Sequence, residues 1–173
     1  MRETEGYGGF QMRRMIAAAI LIGLMGMMGT ARAESSGQKV KSAVEQVLNR
    51  QVEAWNRHDL DGFMTGYWNS PELTFFSGAN VTMGWQSTLE RYRKRYQSEG
   101  REMGKLDFAE LNIEPLGREA AFVRGAWHLT LSDGKTSDQK TAGGKEPHGR
   151  FTLIFRKFPE GWRIVHDHTS AAE

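Results

Sequence analysis

The stretch Gly-Trp-Arg-Ile-Val-His-Asp-His-Thr-Ser, residues 161–170, decides which side chains of the final strand face the interior. Successive residues of a strand point to opposite faces of its sheet. The even positions carry Trp162, Ile164, His166 and His168, and the odd positions carry Arg163, Val165, Asp167 and Thr169. Because both sets mix apolar and polar residues, hydrophobicity alone does not say which set lies inward.

The turn that precedes this strand favours one assignment. Pro159-Glu160-Gly161 suits a three-residue hairpin loop, with Pro at the first turn position and Gly at the left-handed bulge position. Such a loop pairs Phe158 with Trp162, and it places Val165 opposite Phe155, Asp167 opposite Leu153 and Thr169 opposite Phe151. A two-residue loop would instead turn both histidines inward, since a one-residue slip moves every side chain to the other face.

The three-residue loop therefore predicts that Asp167 points into an apolar interior. Burial disfavours the charged carboxylate and raises its pKa. A carboxyl group that titrates near neutral pH is suited to general acid or base catalysis. The alternative is a structural role, in which Asp167 accepts hydrogen bonds from a hydroxyl or a Trp N–H and orders the sheet.

Helical patterns come before the strands. A first helix, capped by Ser35 or Ser36, is predicted from apolar residues that recur every three or four positions: Val40, Val44, Val47, Leu48, Val52 and Trp55. A second begins at Asp59 and ends at Ser70-Pro71. A third runs from about 84 to 97. Its basic run of Arg91, Arg93, Lys94 and Arg95 resembles an RNA patch, but it reads better as a solvated helix face.

Alternating patterns predict the strands. A short pair spans 73–77 and 80–83, and a change of phase near Ala109–Glu110 indicates a bulge in the strand that begins at 105. Odd positions form the core face in the next two strands, over 121–131 and 151–155. A polar loop, 132–147, joins these two. Helices followed by a meander of long strands predict an α+β domain with its helices packed on one curved sheet.

The outer face of this sheet is predicted to be apolar enough to meet a partner. Under the favoured register it carries Phe122, Ala126, Ile154, Trp162 and Ile164. An apolar face of that size is typical of an interface, which predicts a homodimer. His128, His166 and His168 lie on the same face and could serve as three metal ligands. With no acidic ligand beside them, hydrogen bonding at an interface is the more common role, so no metal is predicted.

The N-terminus has the layout of a secretory signal peptide. Arg13 and Arg14 precede an apolar run, Met15–Met28, and Ala31-Arg32-Ala33 supplies a cleavage pattern. The run is shorter than the roughly 18 residues of a spanning helix, although a retained anchor is an alternative. We expect residues 1–33 to be removed, leaving a single domain, 34–173, in the periplasm or secreted. Met12 stands just before the arginine pair and is an alternative start of the protein. In that case residues 1–11 would be a mis-assigned extension.

The mature domain is electrically balanced. The chain of 173 residues has a net charge of +2, and all of it comes from residues 1–33. A balanced domain argues against a nucleic-acid partner, and no membrane contact is expected once the signal is removed. The absence of cysteine excludes disulfides, thiolate metal sites and a cysteine nucleophile.

Four segments together resemble a known group of proteins. They are Glu53-Ala54-Trp55-Asn56-Arg57-His58-Asp59, Gly125-Ala126-Trp127, Gly149-Arg150-Phe151-Thr152-Leu153 and the final strand, residues 161–170. This pattern resembles the nuclear transport factor 2-like superfamily in its SnoaL-like branch, over nearly all of 38–171. The ending also resembles the association domain of calmodulin-dependent kinase II.

The resemblance implies a cystatin-like α+β barrel. In it, a strongly bent antiparallel sheet forms a cone around the long first helix, encloses a pocket and commonly dimerises. The superfamily includes steroid isomerases, polyketide cyclases and dehydratases that use an Asp as acid or base, and also members that only bind or oligomerise. Asp167 would be the catalytic residue here, and Asp107 is a candidate second acid whose facing depends on the bulge. The pocket walls would be Trp55, Tyr67, Tyr92, Trp127, Phe151, Leu153 and Thr169.

The leading hypothesis is an exported domain that binds a small, largely apolar molecule without a cofactor. The first alternative is a cofactor-free isomerase, dehydratase or cyclase that uses Asp167. The second is an association module that has no ligand. In the reversed register, His128, His166 and His168 would be the pocket or interface residues.

Overall fold

A computed structural model describes residues 35–99, 101–131 and 146–172. The predicted signal sequence and most of the loop 132–147 lie outside these residues. The elements in chain order are α1 (Ser36–Asn56), α2 (Leu60–Met64), β1 (Thr74–Ser77), β2 (Asn80–Met83), α3 (Trp85–Tyr96), β3 (Lys105–Pro115), β4 (Ala120–Thr130), β5 (His148–Phe158) and β6 (Gly161–Ala171). Within the described residues, no helix is both long and apolar enough to cross a membrane. The predicted α+β class is confirmed.

The long helix α1 forms the centre of the core. Ser35 caps it, because its hydroxyl accepts a hydrogen bond of 3.2 Å from the backbone N–H of Gln38. The predicted apolar stripe is buried, with Val52 only partly so, and this face packs against β3 and β6. Burial of one helix face against the sheet is the contact that supports the rest of the fold.

Helix α2 is shorter than the sequence pattern suggests. Asp59 caps its start, accepting from the backbone N–H of Gly62 at 2.8 Å, as predicted. The helix ends at Met64 rather than near Ser70. The next residues leave the helix because Tyr67 forms a parallel bridge with Ile164 of β6. Pairing with the sheet therefore outweighs continuation of the helical pattern.

The six strands form one curved sheet in the order β2-β1-β6-β5-β4-β3. Strands β3 to β6 are an antiparallel meander, as predicted. The short strand β1 pairs in parallel with β6, so that Phe75 lies opposite Asp167. That parallel pair is a departure from the predicted all-antiparallel sheet. The sheet stays open, with β2 and β3 at its edges.

The predicted bulge in β3 is confirmed. Ala109 pairs with Ala126 and Asn112 pairs with Arg124, so two residues of β3 oppose Gly125. Glu110, one of these two, has a positive φ of 53°. A β-carbon at Gly125 would lie only 2.6 Å from a ring carbon of Phe151, so the absence of a side chain there lets that ring occupy the core.

The final hairpin corrects the predicted turn but keeps the predicted position of Asp167. Phe158 pairs with Gly161, so the loop has two residues rather than three. Ile164, and not Val165, consequently lies opposite Phe155. A register shift follows immediately, because Ile154 pairs with His166 and leaves Val165 as an extra residue. The two one-residue changes cancel, so Leu153 pairs with Asp167 and Phe151 with Thr169, as predicted.

The same bulge changes the composition of the outer face. Trp162 and Ile164 lie before the bulge and are buried in the core, 7% and 1% exposed, so their predicted outward position is wrong. Ala126 is buried but lies in a groove with Glu110, His128 and Arg150 rather than in the core. Ile154 is 39% exposed, and Phe122 is partly buried beneath the guanidinium of Arg124. The apolar outer face is therefore smaller than expected. The homodimer stays a prediction, which sizing of residues 34–173 in solution would test.

Candidate functional site

A cavity of about 110 Å³ lies between the helices and the concave face of the sheet. The structure places all seven predicted wall residues on its lining: Trp55, Tyr67, Tyr92, Trp127, Phe151, Leu153 and Thr169. Asp167 lies on the lining with them. The sequence analysis thus located the residues around this cavity, and their part in binding or catalysis stays a prediction.

Aromatic rings make up most of the interior on the helix side. The Trp55 ring packs edge-on against Phe63 and Tyr96, at centroid distances of 5.1 and 4.8 Å. The Tyr92 ring packs in the same way against Phe63 and Phe75, at 5.3 and 5.5 Å. The Trp55 indole N–H is satisfied by the main-chain oxygens of residues 103 and 104. This network fixes the rings, so the apolar wall is largely preformed.

Tyr67 is positioned by main-chain contacts between the segment after α2 and β6. The N–H of Ile164 donates to the carbonyl of Gly66, and the N–H of Trp68 donates to the carbonyl of Ile164, both at 2.9 Å. The Gln51 side chain closes over Gly66, where a β-carbon would lie 2.6 Å from it. These contacts tie Tyr67 to β6 three residues before Asp167. The tyrosine hydroxyl is thereby held at the carboxyl group.

Asp167 is the polar centre of the cavity and is 4% exposed. The Tyr67 hydroxyl donates to its Oδ2 at 2.7 Å. The hydroxyls of Tyr67 and Tyr92 are 3.4 Å apart, which extends the network. Asp167 Oδ1 is buried and has no hydrogen-bond partner among the described residues. One carboxyl oxygen is thus held by the protein, and the other is buried without a partner among the described residues.

Burial sets the titration of this group. Desolvation raises the pKa of Asp167 to about 7, and the hydrogen bond from Tyr67 opposes that rise. Burial also raises the pKa values of Tyr67 and Tyr92 well above their usual value, and the charge of Asp167 adds to this. Near neutral pH the cavity therefore holds a carboxyl group in both protonation states beside two hydroxyls that keep their protons.

The histidines of β6 lie outside the cavity. His166 Nδ1 is 2.6 Å from the Thr74 hydroxyl, and its ring packs edge-on against Phe76 at 4.9 Å. Burial, and then the neighbouring His168, lower the pKa of His166. His168 is exposed beside the same phenylalanine. The register that would turn both histidines inward is not observed, and an interface role for them stays a prediction.

His128 is remote from the other two histidines. His166 pairs with Ile154, which in turn pairs with Phe122 of β4. His128 lies six residues along β4 from Phe122, the position level with His166. At about 3.3 Å per residue that separation is roughly 20 Å. No group of three metal-ligating side chains occurs within the described residues. The three histidines therefore cannot bind one metal ion in this fold.

Asp107 is not a second acid for the cavity. It pairs with His128 on the outer face of the sheet and is exposed. The bulge in β3 comes after it, so the residues that reach the core before the bulge are Leu106 and Phe108. Asp167 is therefore the sole carboxylate on the lining within the described part of the chain.

Several lining residues were not identified from the sequence as site residues. Among them are Gln51, Phe63, Phe75, Arg91, Arg95 and Tyr96. Phe63 and Tyr96 lie on the apolar stripes of their helices, and a stripe does not distinguish a pocket wall from the core. The two arginines belong to the run interpreted as a solvated helix face. Their spacing of four residues is the signal that both lie on the same side of α3 as the cavity.

Comparisons with known proteins agree with this architecture. The family model for the SnoaL-like domain matches residues 44–173. An NTF-2 like protein of unknown function from Shewanella oneidensis is 36% identical, with a TM-score of 0.63, over 75% of this chain and 98% of that one. The chain belongs to the SnoaL-like family of the nuclear transport factor 2-like superfamily. A search of curated proteins found no significant match.

More distant solved structures share the fold alone. A ketosteroid isomerase-like protein from Erwinia carotovora atroseptica is 20% identical, with a TM-score of 0.56, over 76% of this chain and 95% of that one. A putative calcium/calmodulin-dependent protein kinase type II association domain from Thiobacillus denitrificans is 19% identical, also with a TM-score of 0.56, over 75% and 94%. The cone-like fold is thus shared by proteins that are described in different ways.

The raised pKa of Asp167 predicts a pH-dependent stability. Between about pH 4 and pH 7 the folded protein keeps a proton on Asp167 that the unfolded chain releases, so the free energy of unfolding falls as the pH rises through that window. We expect the wild type to lose roughly 2–3 kcal/mol more than Asp167→Asn between pH 5 and pH 8. Urea unfolding at both pH values measures the difference.

Asp61→Asn is the matched control for this measurement. It removes an exposed carboxylate that pairs with Arg93 on the surface, so it should keep the wild-type difference between the two pH values. Burial lowers the pKa of His166, but this histidine is present in all three proteins and its contribution to the pH dependence cancels. Equal pH dependence in the wild type and Asp167→Asn would show that Asp167 titrates as an ordinary surface carboxyl.

Proposed function

We propose that the cavity binds a small, largely apolar molecule through a hydrogen bond to Asp167. The observation that carries this proposal is the buried Oδ1 atom of Asp167, which has no partner among the described residues, in a residue that lines a mainly apolar cavity. A buried polar atom left without a hydrogen bond costs about 1–3 kcal/mol. A ligand that donates a hydrogen bond would recover this cost.

The size of the cavity limits the ligand. An engineered protein cavity of about 150 Å³ holds benzene, and the cavity here is about 110 Å³. The part of the ligand that enters the interior is therefore a single ring or a group of similar size. Exposed lining residues such as Ser170 and Ala171 mark a mouth, through which a substituent could reach solvent.

The proposal includes export by residues 1–33, as the sequence predicts.

Phenol and toluene test the binding proposal, because they have nearly the same size and differ only in that phenol carries a hydroxyl group where toluene carries a methyl group. We expect the mature protein to bind phenol about tenfold more tightly than toluene, since only phenol donates to Asp167 Oδ1. Asp167→Leu, which removes the acceptor at similar volume, should abolish the difference. Calorimetric titration measures both affinities. Equal affinities in the wild type would remove the role proposed for Asp167, and binding of neither compound would remove the ligand site.

A second candidate function is proton transfer on the bound molecule. It is favoured by the pKa of Asp167, about 7, since a general acid or base works best when its pKa is near the ambient pH. The Tyr92 hydroxyl, which keeps its proton, is a donor available to an enolate oxygen in the same cavity. The structure from Erwinia is described as ketosteroid isomerase-like, which is consistent with such chemistry but concerns that protein.

The reaction would need no cofactor. In a β,γ-unsaturated cyclic ketone, the Asp167 carboxylate would take a proton from the carbon between the carbonyl and the double bond. The products of this step are a dienolate and the neutral carboxylic acid. The acid would then return the proton to the far carbon of the dienolate, which regenerates the carboxylate and leaves the conjugated ketone. A single acid–base residue is sufficient for both steps.

Isomerisation of 3-cyclohexen-1-one to 2-cyclohexen-1-one tests this chemistry with a ring of the right size. We expect the wild type to accelerate the reaction and Asp167→Asn to lower kcat/KM by roughly 100-fold or more, because general acid–base groups contribute about that much. The ultraviolet absorbance of the conjugated product follows the rate. Asp61→Asn is the control and should keep full activity. An Asp167→Asn variant as active as the wild type would exclude Asp167 as the proton carrier.

A further inference from the structure

Helix α3 presents its arginines to two different environments. Arg93 faces away from the cavity, and its guanidinium binds the Asp61 carboxylate at 2.8 Å. Arg91 and Arg95 are one helical turn apart and both line the cavity, together with Tyr92 and Tyr96. The same helix therefore carries one arginine that is neutralised at the surface and two that converge on the site.

The two converging arginines contact rings instead of carboxylates. The guanidinium carbon of Arg91 lies 5.5 Å from the centre of the Phe75 ring. That of Arg95 lies 5.5 Å from the Tyr96 ring, and its Nε donates to the Tyr96 hydroxyl at 3.1 Å. Among the described residues, neither guanidinium has a carboxylate within 4.0 Å. Two like charges four residues apart on a helix repel each other. An anion bound between them would offset this repulsion.

Hydroxyl side chains also lie on the lining of the cavity. Ser77 and Thr169 lie on the lining as partners in the parallel β1–β6 pair, and Ser170 follows them. A second groove adjoins the mouth and shares Arg91 and Arg95 with the cavity. Its polar and charged lining is Arg91, Lys94, Arg95, Tyr96, Arg101 and Glu102. The mouth is thus a positively charged region at the opening of an apolar chamber.

We propose that the ligand of the cavity is a one-ring carboxylic acid whose carboxylate binds Arg91 and Arg95 at the mouth while its ring occupies the aromatic interior. This inference rests on the proposed function and specifies its ligand class. A guanidinium is a planar donor that matches the two oxygens of a carboxylate. Neither guanidinium has a carboxylate partner among the described residues, so terminal N–H groups of both could make such a bond. A hydroxyl on the ring would reach Asp167 at the other end.

Matched pairs of one-ring compounds test this inference. Each pair consists of a carboxylate and its neutral carboxamide, beginning with 4-hydroxyphenylacetate and 4-hydroxyphenylacetamide. Ligand-detected NMR titration of the mature protein measures their affinities. We expect the wild type to bind the acids at least about tenfold more tightly than the amides, with a preference that weakens as salt is added.

Substitution of the arginines identifies the source of the preference. In Arg91→Gln/Arg95→Gln the acid preference should fall to within about twofold, since the charge-assisted bonds are lost. Arg93→Gln removes a positive charge from the same helix but outside the cavity, so it should keep the preference. Circular dichroism and thermal unfolding confirm that each variant is folded. Retention of the full preference by the double variant would overturn the assignment.

The outcomes separate this inference from the function on which it rests. If amides bind as tightly as acids to the wild type, the cavity is a ligand site but the carboxylate assignment is wrong. If Arg93→Gln reduces the preference as much as the double variant does, general attraction by the positive helix replaces a specific contact, which also overturns it. If no compound of either kind binds, both the proposed function and this inference fail.

Discussion

The hydrogen bond from Tyr67 to Asp167 is the interaction on which the interior depends. It joins the segment after α2 to the final strand, on the wall of a mainly apolar cavity. Two features bring the partners together: the parallel bridge at Ile164 holds the tyrosine, and the bulge at Val165 turns the carboxyl inward. Without either feature, the carboxyl group would lie away from the donor that stabilises it.

This arrangement leaves the carboxyl group only half satisfied, and that property links stability to function. The protein supplies one hydrogen bond to Oδ2 and encloses Oδ1 in an apolar space. Burial of a polar atom without a partner is unfavourable, and the raised pKa of Asp167 expresses the same cost in its titration. A molecule that fills the cavity and donates to Oδ1 would relieve it. Arg91 and Arg95 at the mouth would add an electrostatic attraction for an anionic ligand, which aromatic walls alone do not provide.

Much of the fold could be predicted from periodicity, because the side chains of long strands and helices must bury one face. The pocket-wall residues were named from the family resemblance, and periodicity indicated only which face of each element is buried. The hairpin could not be predicted, since Pro159 and Gly161 are compatible with more than one loop, and no local signal marked Val165 as an extra residue. The predicted facing of Asp167 was correct because two register changes cancelled. The parallel pairing of β1 also lacked a signal, because alternation shows which face is buried but not which strand is adjacent.

The most direct test of this account is the titration of Asp167 itself, measured by carbon-detected NMR of its side-chain carboxyl group. We expect a midpoint near pH 7 in the wild type, because the group is buried in an apolar cavity. We expect a higher midpoint in Tyr67→Phe, which removes the hydrogen bond that favours the carboxylate. A wild-type midpoint near pH 4 would contradict it, since Asp167 would then be a solvated carboxylate rather than the buried acid of the cavity.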